Sequence, residues 1–385
     1  MSSLDGVTPL TLLSNPYPNG LLLPPDNEAE RRLLGQSLNI TDRDNRSNNY
    51  TQQWNFSLQK QLGGQWLLEA AYSASRGIRN TIRWNWNQLD PKYQALGSDL
   101  NRQVTNPFFG AVRTGQLANR TIPQSALLRP YPQYTGLSTN WQNRSASTYH
   151  SLQMKAERRF SRGVQVLVSY TAGKLIDDSS GRVIDYTDFT PPVQDYWNLR
   201  AERSPSTGDV SQRLVVAHTV ELPLRNLFPR AWNRFTAGWS VSGAASFFTG
   251  FPLALTSSGN SGVGGGVIRP NSTGRSALLS GSTQSRLERY FDISAFTIPE
   301  PFTFGNTSRT LPDVRAPGRR NYDVTLLKHT RVTERLAAEF RVEAYNLTNT
   351  PFFLPPATGL GSNGFGAITS AIGARQLQAS LRVLW

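Results

Sequence analysis

The side chains best suited to general-base or metal chemistry are His150, His218 and His329, the only histidines in the chain. A hydrolytic Ser-His pair needs both groups on one face. Ser151 adjoins His150, but neighbours on a strand point to opposite faces, so that pair is excluded. Cysteine is absent, which removes thiolate nucleophiles, disulfides and Cys-based metal sites. No His/Asp/Glu grouping has the spacing of a metal site. The acidic stretch "DDSSGRVIDYTD" lacks the D-x-D-x-D-G order of a calcium loop. "GVGGG" lacks the Lys-Ser/Thr of a phosphate-binding loop and precedes no helical pattern. The expectation is a non-enzyme with no catalytic residues, no metal and no cofactor.

Charge points elsewhere. Lys and Arg number 40 against 26 Asp and Glu, a formal net charge of +14. The basic residues are scattered singly, without a dense block or a recognition-helix pattern, so nucleic acid is not the expected partner. A basic exterior suits contact with an anionic surface.

The elements that carry these residues alternate with a period of two, the signature of strands with one greasy face. In 52–62, Trp54, Phe56, Leu58 and Leu62 oppose Gln53, Asn55, Ser57, Gln59 and Gln61. After the Gly-containing link "QLGGQ", Trp66, Leu68, Ala70 and Tyr72 oppose Glu69 and Ser73. Leu152, Met154, Ala156 and Phe160 repeat the pattern, "SRG" turns the chain, and Val164, Val166, Val168 and Tyr170 follow. Further alternating runs are 235–247, 336–344 and 376–385. At apolar parity, His150 and His218 are expected near a membrane interface.

A soluble sandwich also alternates. Three features favour a wall through lipid. The runs are roughly 9–13 residues long, enough to cross a bilayer when tilted. Aromatic residues stand near their ends, and Trp54, Trp66, Tyr72, Phe160 and Tyr170 are assigned to the two interfaces. Links alternate between short (after Gln61, Phe160, Leu224 and Thr330) and long (about 87–147, 176–212, 257–321 and 348–375), as periplasmic turns and external loops do. The long links are rich in Gly, Pro, Asn and Ser. The predicted fold is all-β: a transmembrane antiparallel β-barrel, with residues 1–49 an external-loop or partial N-terminal segment bearing a short helical pattern near 28–34, and residues 50–385 the barrel.

About nine strands can be counted, an odd number, whereas closed bacterial barrels are normally even. The beginning of the sequence lacks the basic and apolar regions of a signal peptide. Upstream strands and a signal peptide are therefore expected outside this sequence.

Two side-chain sets are singled out on the C-terminal runs. Leu377, Leu381, Val383 and Trp385 share one parity and end on an aromatic residue, the form of a signal read by the barrel assembly machinery. Glu339, Arg341 and Glu343, with Arg382 nearby, share the opposite face as a charge ladder in the lumen.

Several stretches resemble the C-terminal barrel of Oar-like TonB-dependent outer-membrane receptors of the acidobacterial type. They are "NYTQQWNFSLQKQLGGQWLLEAAYSASRG", where Ala74 replaces the usual Gly, "STYHSLQMKAERRFSRGVQVLVSYTAGKLIDD", "GDVSQRLVVAHTVELP" and "GWSVSGAASFFTGFPLAL". The most specific is "GRRNYDVTLLKHTRVTERLAAEFRVEAYNLTNTPFF", with Glu343, Asn346, Asn349 and Phe352. The resemblance implies a parent with an N-terminal carboxypeptidase-regulatory-like domain, a plug and about 22 barrel strands. No plug or TonB box maps onto this sequence. The resemblance also implies binding and import of a ligand through the outer membrane. Its partners would be TonB and the plug in the full-length parent, the barrel assembly machinery, outer-membrane lipid and lipopolysaccharide, and a small-molecule, oligosaccharide or peptide ligand. The alternative is a structural or adhesive outer-membrane barrel without active transport; a secreted soluble sandwich is a third reading.

Overall fold

Alternating side chains need a partner strand for every backbone amide, and the chain provides one by folding back on itself repeatedly. A computed structural model describes residues 14–15, 33–40, 47–112, 115–179, 193–264 and 266–385. Among the described residues, nine long strands form the wall: β1 (Tyr50–Leu62), β2 (Trp66–Asn85), β3 (Gly136–Ser161), β4 (Val164–Asp177), β5 (Gln212–Glu221), β6 (Trp239–Phe248), β7 (Arg319–Arg331), β8 (Ala337–Tyr345) and β9 (Gln376–Leu384). Each pairs antiparallel with the next in sequence, so the sheet is a nine-strand meander. Every expected strand is present.

Register carries the alternation across the wall. The row Leu58, Ala70, Met154, Tyr170, Leu214, Phe247 puts apolar side chains side by side on six strands. The neighbouring row Gln59, Glu69, Lys155, Ser169 belongs to the other face. A one-residue slip would exchange the two faces, so the pattern fixes the register. The apolar face is bare: Phe56 and Leu58 are 63% and 64% exposed. In water this would be an aggregation surface; in hydrocarbon it is the stable arrangement.

The links follow the expected short-long order, with differences. Gly63–Gln65 joins β1 to β2, and Gly64 and Gln65 both adopt positive φ (72° and 70°). Arg162 and Gly163 join β3 to β4 with φ of 51° and 77°. The link from β5 to β6 is longer than expected. The alternating run placed at 235–247 starts as a strand only at Trp239, and Asn233–Thr236 is a helical turn. Here Pro223 and Pro229 interrupt the chain, and Leu227, Phe228, Trp232 and Phe235 stand exposed.

Strand length also departs from the expectation. β2 has 20 residues and β3 has 26, far more than a bilayer requires. Their upper halves leave the membrane and rise into the long connections. Much of 136–147, read as loop, is strand. Polar residues occupy both of its faces and register shifts interrupt β2 between Ile78 and Trp84, so the two-residue period is lost there.

The four long connections pack into a cap at one end of the wall. Its largest apolar cluster includes Leu253, Leu255, Phe291, Phe296, Leu311 and Ile368. A short strand, Ser37–Asn39, pairs parallel with the start of β3. The expected helical pattern at 28–34 lies, except for Leu33 and Leu34, outside the described residues.

Candidate functional site

The cap is built by side chains that join three of the connections. Gln88 lies in the connection after β2, Gln194 and Glu202 in that after β4, and Arg269 and Arg309 in that after β6. The Gln88 side-chain amide donates to the Gln194 carbonyl (2.9 Å), and its oxygen accepts from the Tyr196 amide (2.8 Å). Gln194 in turn donates to the Gly305 carbonyl (3.0 Å) and accepts from the Arg269 amide (2.9 Å).

Two ion pairs lie at the centre. Arg269 reaches Glu202 with both terminal nitrogens, at 3.1 and 3.3 Å. Arg309 pairs with the Asp177 carboxylate at the end of β4, and its Nε donates to the Glu202 carbonyl (3.0 Å). Isolated charges here would be costly, and the pairs with their added hydrogen bonds offset that cost. Burial pushes the Glu202 carboxyl up and the Arg269 guanidinium down, against the attraction each exerts on the other. A third pair, Arg315 with Asp209 (2.5 Å), ties the start of β5 to the chain entering β7.

Aromatic residues form the cap's second feature. The Arg144 guanidinium lies 4.5 Å from the Trp84 ring centre and 5.1 Å from that of Trp86, and Trp84 meets Tyr196 edge-on. Phe109, Tyr131, Trp141, Trp197 and Phe251 are exposed on the cap. None of these residues was singled out from the sequence.

The residues that were singled out fall on the wall. Glu339 lies opposite both His329 and Arg382 in the ladder, and its carboxylate is 3.6 Å from His329 Nδ1. Arg341 and Glu343 approach each other along β8 at 3.8 Å. Leu377, Leu381 and Val383 line one face of β9 and are exposed, as is Trp385 beyond its end. Trp66 and Phe160 stand at the short-link end, and Trp54 and Tyr72 lie farther up. Tyr170 lies midway along β4.

His150 and His218 occupy the apolar face, each with a tyrosine hydroxyl as partner. Tyr72 Oη is 2.6 Å from His150 Nδ1, and Tyr322 Oη is 2.9 Å from His218 Nε2. The acidic stretch 177–188 lies beyond Ser179 outside the described residues; within it, Asp178 accepts from Ser145 Oγ (2.5 Å).

A profile of the family described as "Outer membrane beta barrel domain" matches residues 2–378. No curated protein matches the sequence. Among solved structures, the chain is similar to the outer membrane transporter YddB from Escherichia coli, with 9% identity and a TM-score of 0.43, over 91% of this chain and 34% of that one. It is similar to the ferric-catecholate import receptor Fiu from E. coli K12, with 12% identity and a TM-score of 0.37, over 91% of this chain and 30% of that one. For the siderophore receptor PiuA from Acinetobacter baumannii the identity is 10% and the TM-score 0.36, over 86% of this chain and 28% of that one. The chain thus spans about a third of the length of these structures. With a bare apolar band, an antiparallel meander and a profile match over nearly its whole length, the protein belongs to the outer membrane beta barrel domain family, and it resides in the cell outer membrane.

Proposed function

We propose that this chain is the C-terminal part of the wall and external cap of a TonB-dependent receptor, which captures a ligand at the cap and passes it inward through the barrel. The observation that carries this reading is the locking of three long connections by Gln88, Gln194, Glu202, Arg269 and Arg309. Loops held this firmly keep a preformed surface, which lowers the ordering cost of binding. The exposed rings of Trp141, Trp197 and Tyr131 offer faces on which a ligand can stack. The sequence resemblance to Oar-like receptors supports the same reading and supplies the expectation of a plug and TonB coupling in a longer parent.

On this reading the protein binds and translocates rather than catalyses. Glu339, Arg341, Glu343 and Arg382 hold β8 and β9 in register on the lumen side, and the β9 parity ending on Trp385 serves the assembly machinery.

The test is whole-cell uptake of labelled ferric siderophores, maltodextrins and peptides. It compares the parent strain, a strain lacking this gene and a strain lacking TonB. Loss of uptake of one class in both deletion strains is the expected result. Unchanged uptake of all three without the gene would sink the import reading; accompanying loss of cell adhesion would favour the adhesive alternative.

A further inference from the structure

One link at the short-link end of the wall is far longer than a reversal of chain direction needs. Gly63–Gln65 suffices between β1 and β2, whereas residues 222–238 are spent between β5 and β6. They form tight turns at Leu224–Asn226 and Arg230–Trp232 and a helical turn at Asn233–Thr236. Leu227, Phe228, Trp232 and Phe235 project from them, Leu227 and Phe235 with 72% and 69% of their surface open. An apolar cluster of this kind marks a surface that meets something other than water.

Two side chains fix where the segment lies. Trp239 and Lys328 are register partners on β6 and β7, at the parity of Val241 and Leu326, and so belong to the apolar face. The Trp239 indole Nε1 donates to the Phe235 carbonyl (2.7 Å), and the Lys328 ammonium donates to the Ala237 carbonyl. Both donors stand on the lipid side, so the last turn of the link lies against the outside of the wall and not beneath the lumen. Its rings extend the lipid face to the level where hydrocarbon gives way to head groups. The charge there is one-sided. Arg225, Arg230 and Arg234 are exposed, and 222–238 contains no Asp or Glu. The nearest acid in sequence, Glu221, has the parity of Thr219 and Ala217 and faces the lumen.

We propose that residues 222–238 are an interfacial anchor that gathers anionic glycerophospholipids, of the phosphatidylglycerol type, in the periplasmic leaflet. Short links of such barrels face the periplasm. Leucine and aromatic side chains enter the boundary between head groups and acyl chains. Guanidinium groups beside them take the phosphodiester through charge-assisted hydrogen bonds. Aromatic residues on the strands do not distinguish one head group from another; three arginines without a counter-charge do. The anchor depends on the membrane orientation of the wall and not on ligand import.

The chain has no native cysteine, so a single thiol label reports one position. The full protein carrying Ala231→Cys is purified from outer membranes, labelled with a fluorophore and placed in symmetric phosphatidylcholine vesicles, with folding checked by heat-modifiable migration. Quenching is measured with brominated phosphatidylglycerol and with brominated phosphatidylcholine at equal mole fraction. Phosphatidylglycerol is expected to quench about fivefold more, the attraction of one basic side chain to an anionic surface. Adding Arg225→Gln, Arg230→Gln and Arg234→Gln together is expected to remove that preference and leave quenching through the rings. A label at Gly63→Cys, where an added Cβ meets no neighbour, is expected to show no preference. No quenching of the Ala231→Cys label by either lipid would place the segment in water and overturn the proposal. Equal quenching by the two lipids would reduce it to an ordinary aromatic belt and overturn it too. So would a preference that survives loss of the three arginines, or one of the same size at position 63, since either would trace to the wall as a whole.

Discussion

Arg269 and Glu202 face each other in a two-pronged contact at 3.1 and 3.3 Å, with the Glu202 side chain sealed completely from solvent. The pair joins connections that are far apart in sequence, so the cap is a tertiary construction and not a set of independent loops. Because desolvation outweighs attraction for both partners, its two halves are not equivalent under mutation.

Arg269→Met leaves a carboxylate buried beside a thioether. The expected cost is about 3–5 kcal/mol, confined to the cap. Limited proteolysis should cut the connections 193–211 and 249–318 readily while the wall keeps its heat-modifiable migration. Glu202→Gln keeps an oxygen for the Gln194 and Asp195 amides and should cost less. Equal proteolysis of the two variants would contradict this asymmetry.

The same pair sets a pH dependence. Burial holds the Glu202 carboxyl above its ordinary range. An acid whose folded-state pKa is raised binds more protons folded than unfolded, so its contribution to stability grows as pH falls through that value. The side-chain amide of the variant E202Q cannot take up the proton. The wild-type cap should therefore gain on E202Q as pH falls through the raised folded-state pKa of the Glu202 carboxyl. Hydrogen exchange of cap amides, corrected for intrinsic pH effects, measures the gap, and a constant gap would contradict the expectation.

Lipid-face and lumen-face substitutions on β1 should separate sharply. Leu58→Arg puts a charge in hydrocarbon and is expected to cost about 2–4 kcal/mol if near the midplane. Ser57→Arg, one residue away on the other face, should cost little. Urea unfolding in lipid vesicles reads the difference, and similar costs at both positions would contradict the assigned faces.

Tyr322→Phe removes the partner of His218 Nε2 on the apolar face. The expected loss is about 1 kcal/mol, within the range of membrane hydrogen bonds. The additional change His218→Phe should recover part of it. A double-mutant cycle in vesicles checks the coupling.

Deleting Trp385, which is 94% exposed beyond β9, should lower the amount inserted in the outer membrane. Quantifying the protein in outer-membrane fractions tests this; unchanged levels would count against the terminal residue as an assembly signal.

The wall was legible because its physics is local. Trp54, Phe56 and Leu58 announce their face through a period of two, and "QLGGQ" announces its turn through Gly64, which adopts φ of 72°. Glu339 and Arg382 share one register row with His329, which parity alone did not place beside them. The cap was not legible. Gln88 and Gln194, or Glu202 and Arg269, share no spacing rule, and their pairing exists only after the connections have folded together. The upper part of β3 was missed because no lipid surrounds it. Thr139, Gln142 and Ser145 are buried against polar cap connections and not against lipid, so "GLSTNWQNRSAS" has no greasy face to alternate.

The wall's odd strand number has a geometric consequence. β1 runs away from the cap, and after eight reversals β9 does too. Laid edge to edge, these two would be parallel, whether in one molecule or between two copies turned about the membrane normal. A ring of uniformly opposed neighbours that includes this sheet must therefore draw an odd number of strands from outside the nine, a rule of direction that no side-chain substitution can relax.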